Sequence, residues 1–130
     1  MKISDFPSAC CKAQVVGEGQ CEACGAPVWY TRIVYIAGPY RSKTVRGMVL
    51  NIRAAEEVAV KWWKAGFAVI CPHTNSALFD GELPDEAYLT GDMTLLSKCD
   101  AIAMVSGWEK SEGAKHELEW AKAAGLKVVM

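Results

Sequence analysis

From Arg32 onward the chain alternates short, continuous apolar runs with longer stretches in which apolar residues recur every three or four positions. Ile33–Ala37, Phe67–Cys71, Ala101–Val105 and Lys127–Met130 are runs of the first kind. Continuous apolar runs of this length, rich in Val and Ile, predict strands buried on both faces, as in a parallel sheet. Between them, apolar residues at 45, 48, 49, 52, 55, 59, 62 and 63 predict a helix over 45–63, stopped by Gly66. Pro84 opens a second helix through about Lys98, and a third runs from about Glu112 to Ala124 with Gly125 after it. A polar loop is expected from His73 to Leu83.

The order β-α-β-α-β-α-β predicts an α/β domain with right-handed crossovers. A flavodoxin-like (Rossmann-like) three-layer parallel sheet, strand order 2-1-3-4, is the natural arrangement. Ligands in such sheets bind beyond the carboxyl ends of the strands flanking the reversal of order, here the first and third. Their loops are Gly38-Pro-Tyr-Arg41 and Gly107 to Gly113, so function is expected where these meet.

Residues 1–31 lack such runs and form a separate Cys-rich segment, with the α/β domain spanning 32–130. Cys21-Glu-Ala-Cys24-Gly25 is a knuckle that aims two thiolates at one metal. Cys11-Lys-Ala-Gln-Val15 repeats against Cys24-Gly-Ala-Pro-Val28 thirteen residues later, the two-knuckle plan of a zinc ribbon. Ser8 stands where the first cysteine of the plan should be, and Cys10 adjoins Cys11. Cys10, Cys11, Cys21 and Cys24 are therefore the metal candidates, for a structural zinc; a metal-free knuckle and a redox pair are the alternatives. Cys71 and Cys99, in apolar runs, are read as packing residues.

Composition narrows the picture. The 130 residues are 52% hydrophobic, enough for a core and too apolar for a disordered chain. A net charge of −1 argues against nucleic acid bound by charge. No run is long and apolar enough to suggest a membrane span or a signal peptide, so a cytoplasmic setting is expected.

Two acidic residues break the helical pattern. Glu117 falls on the apolar stripe of Ala114, Leu118 and Ala121, and Asp92 shares a face with Tyr88, Leu95, Leu96 and Cys99. Burying a carboxylate costs several kcal/mol unless it is paired, so inward acids need a reason. A core ion pair would supply one, and a ligand crevice another. Ser111-x-Gly113 precedes the last helix, where a hydroxyl and free amides favour an anion, or where Ser111 is only a cap. Arg41 offers a cation for a phosphate.

Together these residues resemble the nucleoside 2-deoxyribosyltransferase superfamily, including its deoxynucleoside 5′-monophosphate N-glycosidase branch. The chain is most similar to a small deoxyribosyltransferase-like family of unknown function from phages and bacteria. The resemblance rests on Tyr35-Ile-Ala-Gly-Pro-Tyr-Arg41, on Asp92 eight residues before Asp100, on Ser111-x-Gly113-x-x-x-Glu117, and on the exit from Ala121 to Val128. It implies that Glu117 attacks C1′ of a 2-deoxyribose and forms a glycosyl-enzyme, which water or a second base resolves. It implies that Asp92 orients or protonates the leaving base and that Tyr35 bonds near the nucleophile or sugar. Gly38, Tyr40, Arg41, Ser111 and Gly113 would hold the substrate, the latter three and Gly38 at a 5′-phosphate, and Asn75 would help shape a base pocket. The partner is then a nucleoside or nucleotide, no organic cofactor is needed, and a homo-oligomer is expected. Two alternatives stay open: a non-catalytic binder of a nucleotide or ADP-ribose-like molecule, and a zinc-knuckle interaction module.

Overall fold

The structure is a computed structural model, and it describes residues 2–17 and 19–130. A single 3-10 turn at Ile3–Asp5 opens the chain, closed by the Lys2 amide donating to Asp5 Oδ2 at 2.7 Å. Strands β1 (Val15–Val16) and β2 (Gln20–Cys21) pair antiparallel in a separate two-stranded ribbon. The main domain follows as β3 (Ile33–Ala37), helix α1 (Val45–Lys64), β4 (Ala68–Ile70), short helix α2 (Pro72–Asn75), α3 (Asp85–Leu96), β5 (Ala101–Met104), α4 (Glu112–Ala123) and β6 (Lys127–Val129). The result is a mixed α/β fold in which a four-stranded parallel sheet stands beside a Cys-rich N-terminal cluster.

The sheet runs β4-β3-β5-β6, every neighbouring pair parallel. Because side chains alternate along a strand, each central strand feeds two cores. Val34, Ile36, Ala101 and Ala103 face one side, where α1 brings Ala55, Ala59 and Trp62. Tyr35, Ala37, Ile102 and Met104 face the other, against Leu96 of α3 and Leu118 and Ala121 of α4. Burial on both faces is why these strands read as unbroken apolar runs. The chain leaves β3 in opposite directions, first to β4 and then to β5, so the reversal of order lies between β3 and β5.

The ends of helices depart from the apolar pattern. Val45 and Trp63, counted on the α1 stripe, are exposed, and its buried face is Ile52, Ala55, Ala59 and Trp62. The expected loop after β4 begins instead with α2, where Pro72 takes the first helical position and needs no amide partner there.

The N-terminal segment shares the core of the α1 side. Ile3, Phe6, Val15, Cys21 and Val28 are buried in one cluster with Trp62 and Phe67. Phe6 meets Phe67 edge-on at 5.8 Å. Polar ties reinforce the seam: Arg32 donates to the Pro7 carbonyl and pairs with Asp100, and Lys127 Nζ donates to the Asp5 carbonyl at 3.0 Å. Arg32, Asp100 and Lys127 all stand where strands begin. The head is thus docked at the strand-start edge, opposite the edge where the loops after β3 and β5 meet.

Candidate functional site

The carboxyl ends of β3 and β5 open into a cavity of about 460 Å³. Three chain segments wall it. Gly38–Arg41 comes from the end of β3, residues from Pro72 to Asp92 form the opposite side, and Lys110 to Glu117 carries the start of α4. Gly38 is fixed by space: a Cβ there would sit 2.5 Å from Val105 Cβ, so the turn out of β3 can be this tight only without a side chain.

Glu117 lines this cavity from the second turn of α4. Its Oε2 is fully buried and has no hydrogen-bond partner, and among the described residues no cation pairs with it. Asp92 lines the same cavity from α3. Tyr35 stands behind the wall, fully buried, with its hydroxyl also without a partner. Its phenol and the Glu117 carboxylate act on one another without closing a hydrogen bond of ordinary geometry.

The electrostatics follow from burial. It pushes the Glu117 carboxyl up to about 7, with the Tyr35 hydroxyl drawing it partly back and the Asp92 charge adding to the rise. It pushes Asp92 up to about 6. Tyr35 is driven far above the usual phenol range, by burial first and then by the Glu117 charge, so it remains a hydrogen-bond donor. Two carboxylates in one hollow and a phenol behind its wall, with proton affinities raised together, form the kind of group that handles protons near neutral pH.

Ser111 lines the cavity and caps α4, its Oγ accepting from the Ala114 amide at 3.2 Å. Gly113 lies beside it, where a Cβ would meet the Ser111 Oγ at 4.0 Å. Tyr40 lines the cavity too, its hydroxyl donating to Asp80 Oδ1 at 2.6 Å and accepting from the Leu78 amide at 3.0 Å. Arg41 is engaged rather than free, 2.7 Å from Asp85 and 3.6 Å from Asp80. The expected phosphate cation therefore already carries two carboxylate partners. Among the described residues, Asp80, Asp85, Asp92, Glu112 and Glu117 line the cavity with Arg41 and Lys110, and Glu112 pairs with Lys115 at 2.8 Å.

Asn75 does not join the site. It is exposed near the end of α2 and lies outside the cavity wall, because the buried face of that short helix is Pro72 and His73. His73, expected only as the first residue of a polar loop, stands in the wall instead. It is buried in the wall, and its Nε2 lies 2.8 Å from the Pro39 carbonyl. A carbonyl only accepts, so Nε2 carries the proton and Nδ1, which has no partner, carries the lone pair. Burial lowers its pKa, against the pull of the Pro39 and Gly38 carbonyls, and keeps the ring neutral. Its position directly after the end of β4, on the crevice edge, was the available signal.

The second cluster is in the head. The sulfurs of Cys10, Cys11, Cys21 and Cys24 all lie within 4.8 Å of one another, and these four residues could bind a metal ion such as zinc. Cys10 Sγ and Cys24 Sγ are 3.6 Å apart. The Cys21 thiol is lowered to about 6, chiefly by the Ser8 hydroxyl and by the knuckle amides of Cys24 and Ala23. Cys71 and Cys99 are buried free thiols, and burial raises both, Cys99 to about 12.

No helix is long and apolar enough to cross a membrane among the described residues. No curated protein matches the chain. Residues 32–130, the sheet and every wall of the cavity, match the family described as Domain of unknown function (DUF4406). The chain belongs to that family.

Proposed function

We propose that the cavity cleaves or transfers the N-glycosidic bond of a 2-deoxynucleoside, with Glu117 as nucleophile, in the manner of the deoxyribosyltransferase-like enzymes that the sequence resembles. One observation carries the reading: a carboxylate stands in a sugar-sized hollow with a fully buried oxygen and no counter-ion. A charge buried without a partner costs several kcal/mol, and the fold gains nothing visible from it. An oxocarbenium-like transition state supplies the missing positive charge, so the cost is recovered in the step that matters.

In the proposed reaction a Glu117 oxygen bonds to C1′ as the C1′–N bond breaks. The bonding pair leaves with the base, and Asp92 supplies the proton to the leaving nitrogen. Tyr35 donates toward the Glu117 carboxylate and holds its orientation. Water, or a second base, then attacks C1′ as the C1′–Oε bond breaks, its proton passes to the Asp92 carboxylate, and both Glu117 and Asp92 return to their starting states. Gly38, Tyr40, Ser111 and Gly113 bind the sugar side.

The charge around the cavity favours the unphosphorylated nucleoside. A 5′-phosphate would meet the Glu117 charge and a cation, Arg41, already held by Asp80 and Asp85, while Glu112 occupies Lys115. The finer fold assignment, a flavodoxin-like three-layer sheet, fits the strand order and the two cores and belongs to the same proposal. So do a reducing cytoplasmic setting, supported by six free thiols, and a homo-oligomer, supported by exposed Leu78, Phe79, Leu83 and Leu89 near the cavity mouth.

The test is incubation with a panel of deoxynucleosides and their 5′-monophosphates, followed by chromatography for free base. The proposal expects base release from a nucleoside, slower release from its monophosphate, and none from Glu117→Gln. Turnover unchanged in folded Glu117→Gln rejects Glu117 as nucleophile. Binding retained in that variant with no base released by either protein favours the non-catalytic binder.

A further inference from the structure

We propose that Cys10, Cys11, Cys21 and Cys24 hold one zinc ion as a closed four-thiolate site, and that this ion, by fixing the turns of the N-terminal head, keeps the head clasped on the strand-start edge of the sheet. The inference rests on the head alone and is independent of the reading of the cavity.

The thirteen-residue repeat is realised as two equivalent turns. In the second, the Cys21 amide donates to the Ala26 carbonyl at 2.9 Å and the Gly25 amide to the Cys21 carbonyl at 2.7 Å. In the first, the Ser8 amide donates to the Ala13 carbonyl at 2.8 Å and the Lys12 amide to the Ser8 carbonyl at 2.9 Å. Lys12 and Gly25 match in backbone as well, both left-handed with φ of 55° and 72°. A lysine held in that conformation is uncommon, which argues that the turn is imposed by what it presents. Val15 and Val28, two residues after each turn, are both buried.

Such a turn presents a ligand at its first and fourth positions. The second turn does so with Cys21 and Cys24; the first has Ser8 and Cys11. Ser8 is buried, and its Oγ accepts from the amides of Cys11 and Ala13 at 3.4 and 3.1 Å, the amides that a thiolate in its place would take. It also lies 3.2 Å from Cys21 Sγ, so it serves as a positioning residue for that ligand. Cys10, on the same turn, fills the vacancy with its sulfur 3.6 Å from Cys24. The adjacent cysteines, an anomaly in the two-knuckle plan, are thus what restores four ligands.

Tetrahedral zinc with Zn–S bonds near 2.3 Å spaces its sulfurs by about 3.8 Å, inside the 4.8 Å within which all four lie. Four soft thiolates select zinc over the harder divalent ions. The head needs such a staple, because among its described residues the regular structure is one single turn and two strands of two residues each. Yet it supplies Phe6, Val15, Cys21 and Val28 to the shared core. A bound ion converts metal affinity into docking of that apolar surface.

The test uses the full chain, purified under reducing conditions, stripped with a chelator and titrated with zinc. Native mass spectrometry reads stoichiometry, and thermal denaturation reads the clasp. One zinc per chain is expected, with a clear rise in melting temperature. Cys10→Ala removes an exposed side chain, so its metal-free form should melt with metal-free wild type while losing the zinc-dependent rise. Ser8→Ala should weaken zinc about 10- to 100-fold, as loss of a positioning partner does. No zinc bound, or binding unchanged in Cys10→Ala, overturns the site. One zinc bound without a change in melting temperature overturns the clasp. A Cys10–Cys24 disulfide that persists in reducing buffer and excludes zinc overturns both.

Discussion

Glu117 shows how far a single residue can be read from sequence. Its place on the stripe of Ala114, Leu118 and Ala121 requires it to point inward, and it does. What periodicity could not supply was its surroundings: a core ion pair and an empty hollow predict the same spacing. The structure puts its carboxylate on the cavity wall with one oxygen fully buried and without a partner, and Arg32, a cation close to the sheet, pairs with Asp100 instead. A stability prediction follows. The Glu117 carboxyl rises from 4.5 to about 7 on folding, so the folded state binds the proton more tightly. Stability from this group is fully present below about 4.5 and is lost as pH rises through about 7. At pH 8 the cost is about 3 kcal/mol, and Glu117→Gln should raise the melting temperature there while abolishing turnover. An equal or lower melting temperature at pH 8 would contradict the unpaired charge. Activity carries its own pH signature. Glu117 must be ionised and Asp92 protonated, so kcat/KM should follow a bell with its maximum between about 6 and 7, falling on both sides. A plateau extending to pH 9 would remove Asp92 as proton donor.

At the scale of elements, the buried strands were the legible part. β3 and β5 are covered on both faces, which leaves no polar position to confuse the run. Elements set by distant contacts were not legible. The stretch after β4 contains α2, and its wall residues are Pro72 and His73 rather than Asn75, a matter of which face of four residues meets the turn after β3. Arg41 reads as a free cation along the chain, and only the folding back of Asp80 and Asp85 engages it. The tight exit from β3 gives a sharp test. In Gly38→Ala the new methyl would press on Val105, and overpacking of this kind costs about 1–3 kcal/mol. Since the same turn walls the cavity, substrate KM should rise as stability falls. A variant as stable and active as wild type would show that the turn relaxes freely.

The whole molecule is organised with its two clusters at opposite edges of one sheet, thiols where strands begin and carboxylates where they end. The sequence suggested a boundary near residue 31, and the composition does change there, but the core runs through it. The apolar residues of this cysteine-dense segment are few and scattered along the chain; their shared destination is visible only in three dimensions. Phe6→Ala should therefore cost about 3 kcal/mol by emptying the seam against Phe67, measured by chemical denaturation. It should leave kcat per folded molecule unchanged, because the cavity is at the other edge. A loss below 0.5 kcal/mol would detach the head from the core (a surface change by magnitude). The chemistry of the cavity is tested most directly by mixing the protein with a deoxynucleoside, quenching rapidly, and mapping the peptides by mass. The account predicts one deoxyribosyl group esterified to Glu117, appearing with the free base and absent from Glu117→Gln. Base released with the sugar attached to no residue, or to any residue other than Glu117, would contradict it.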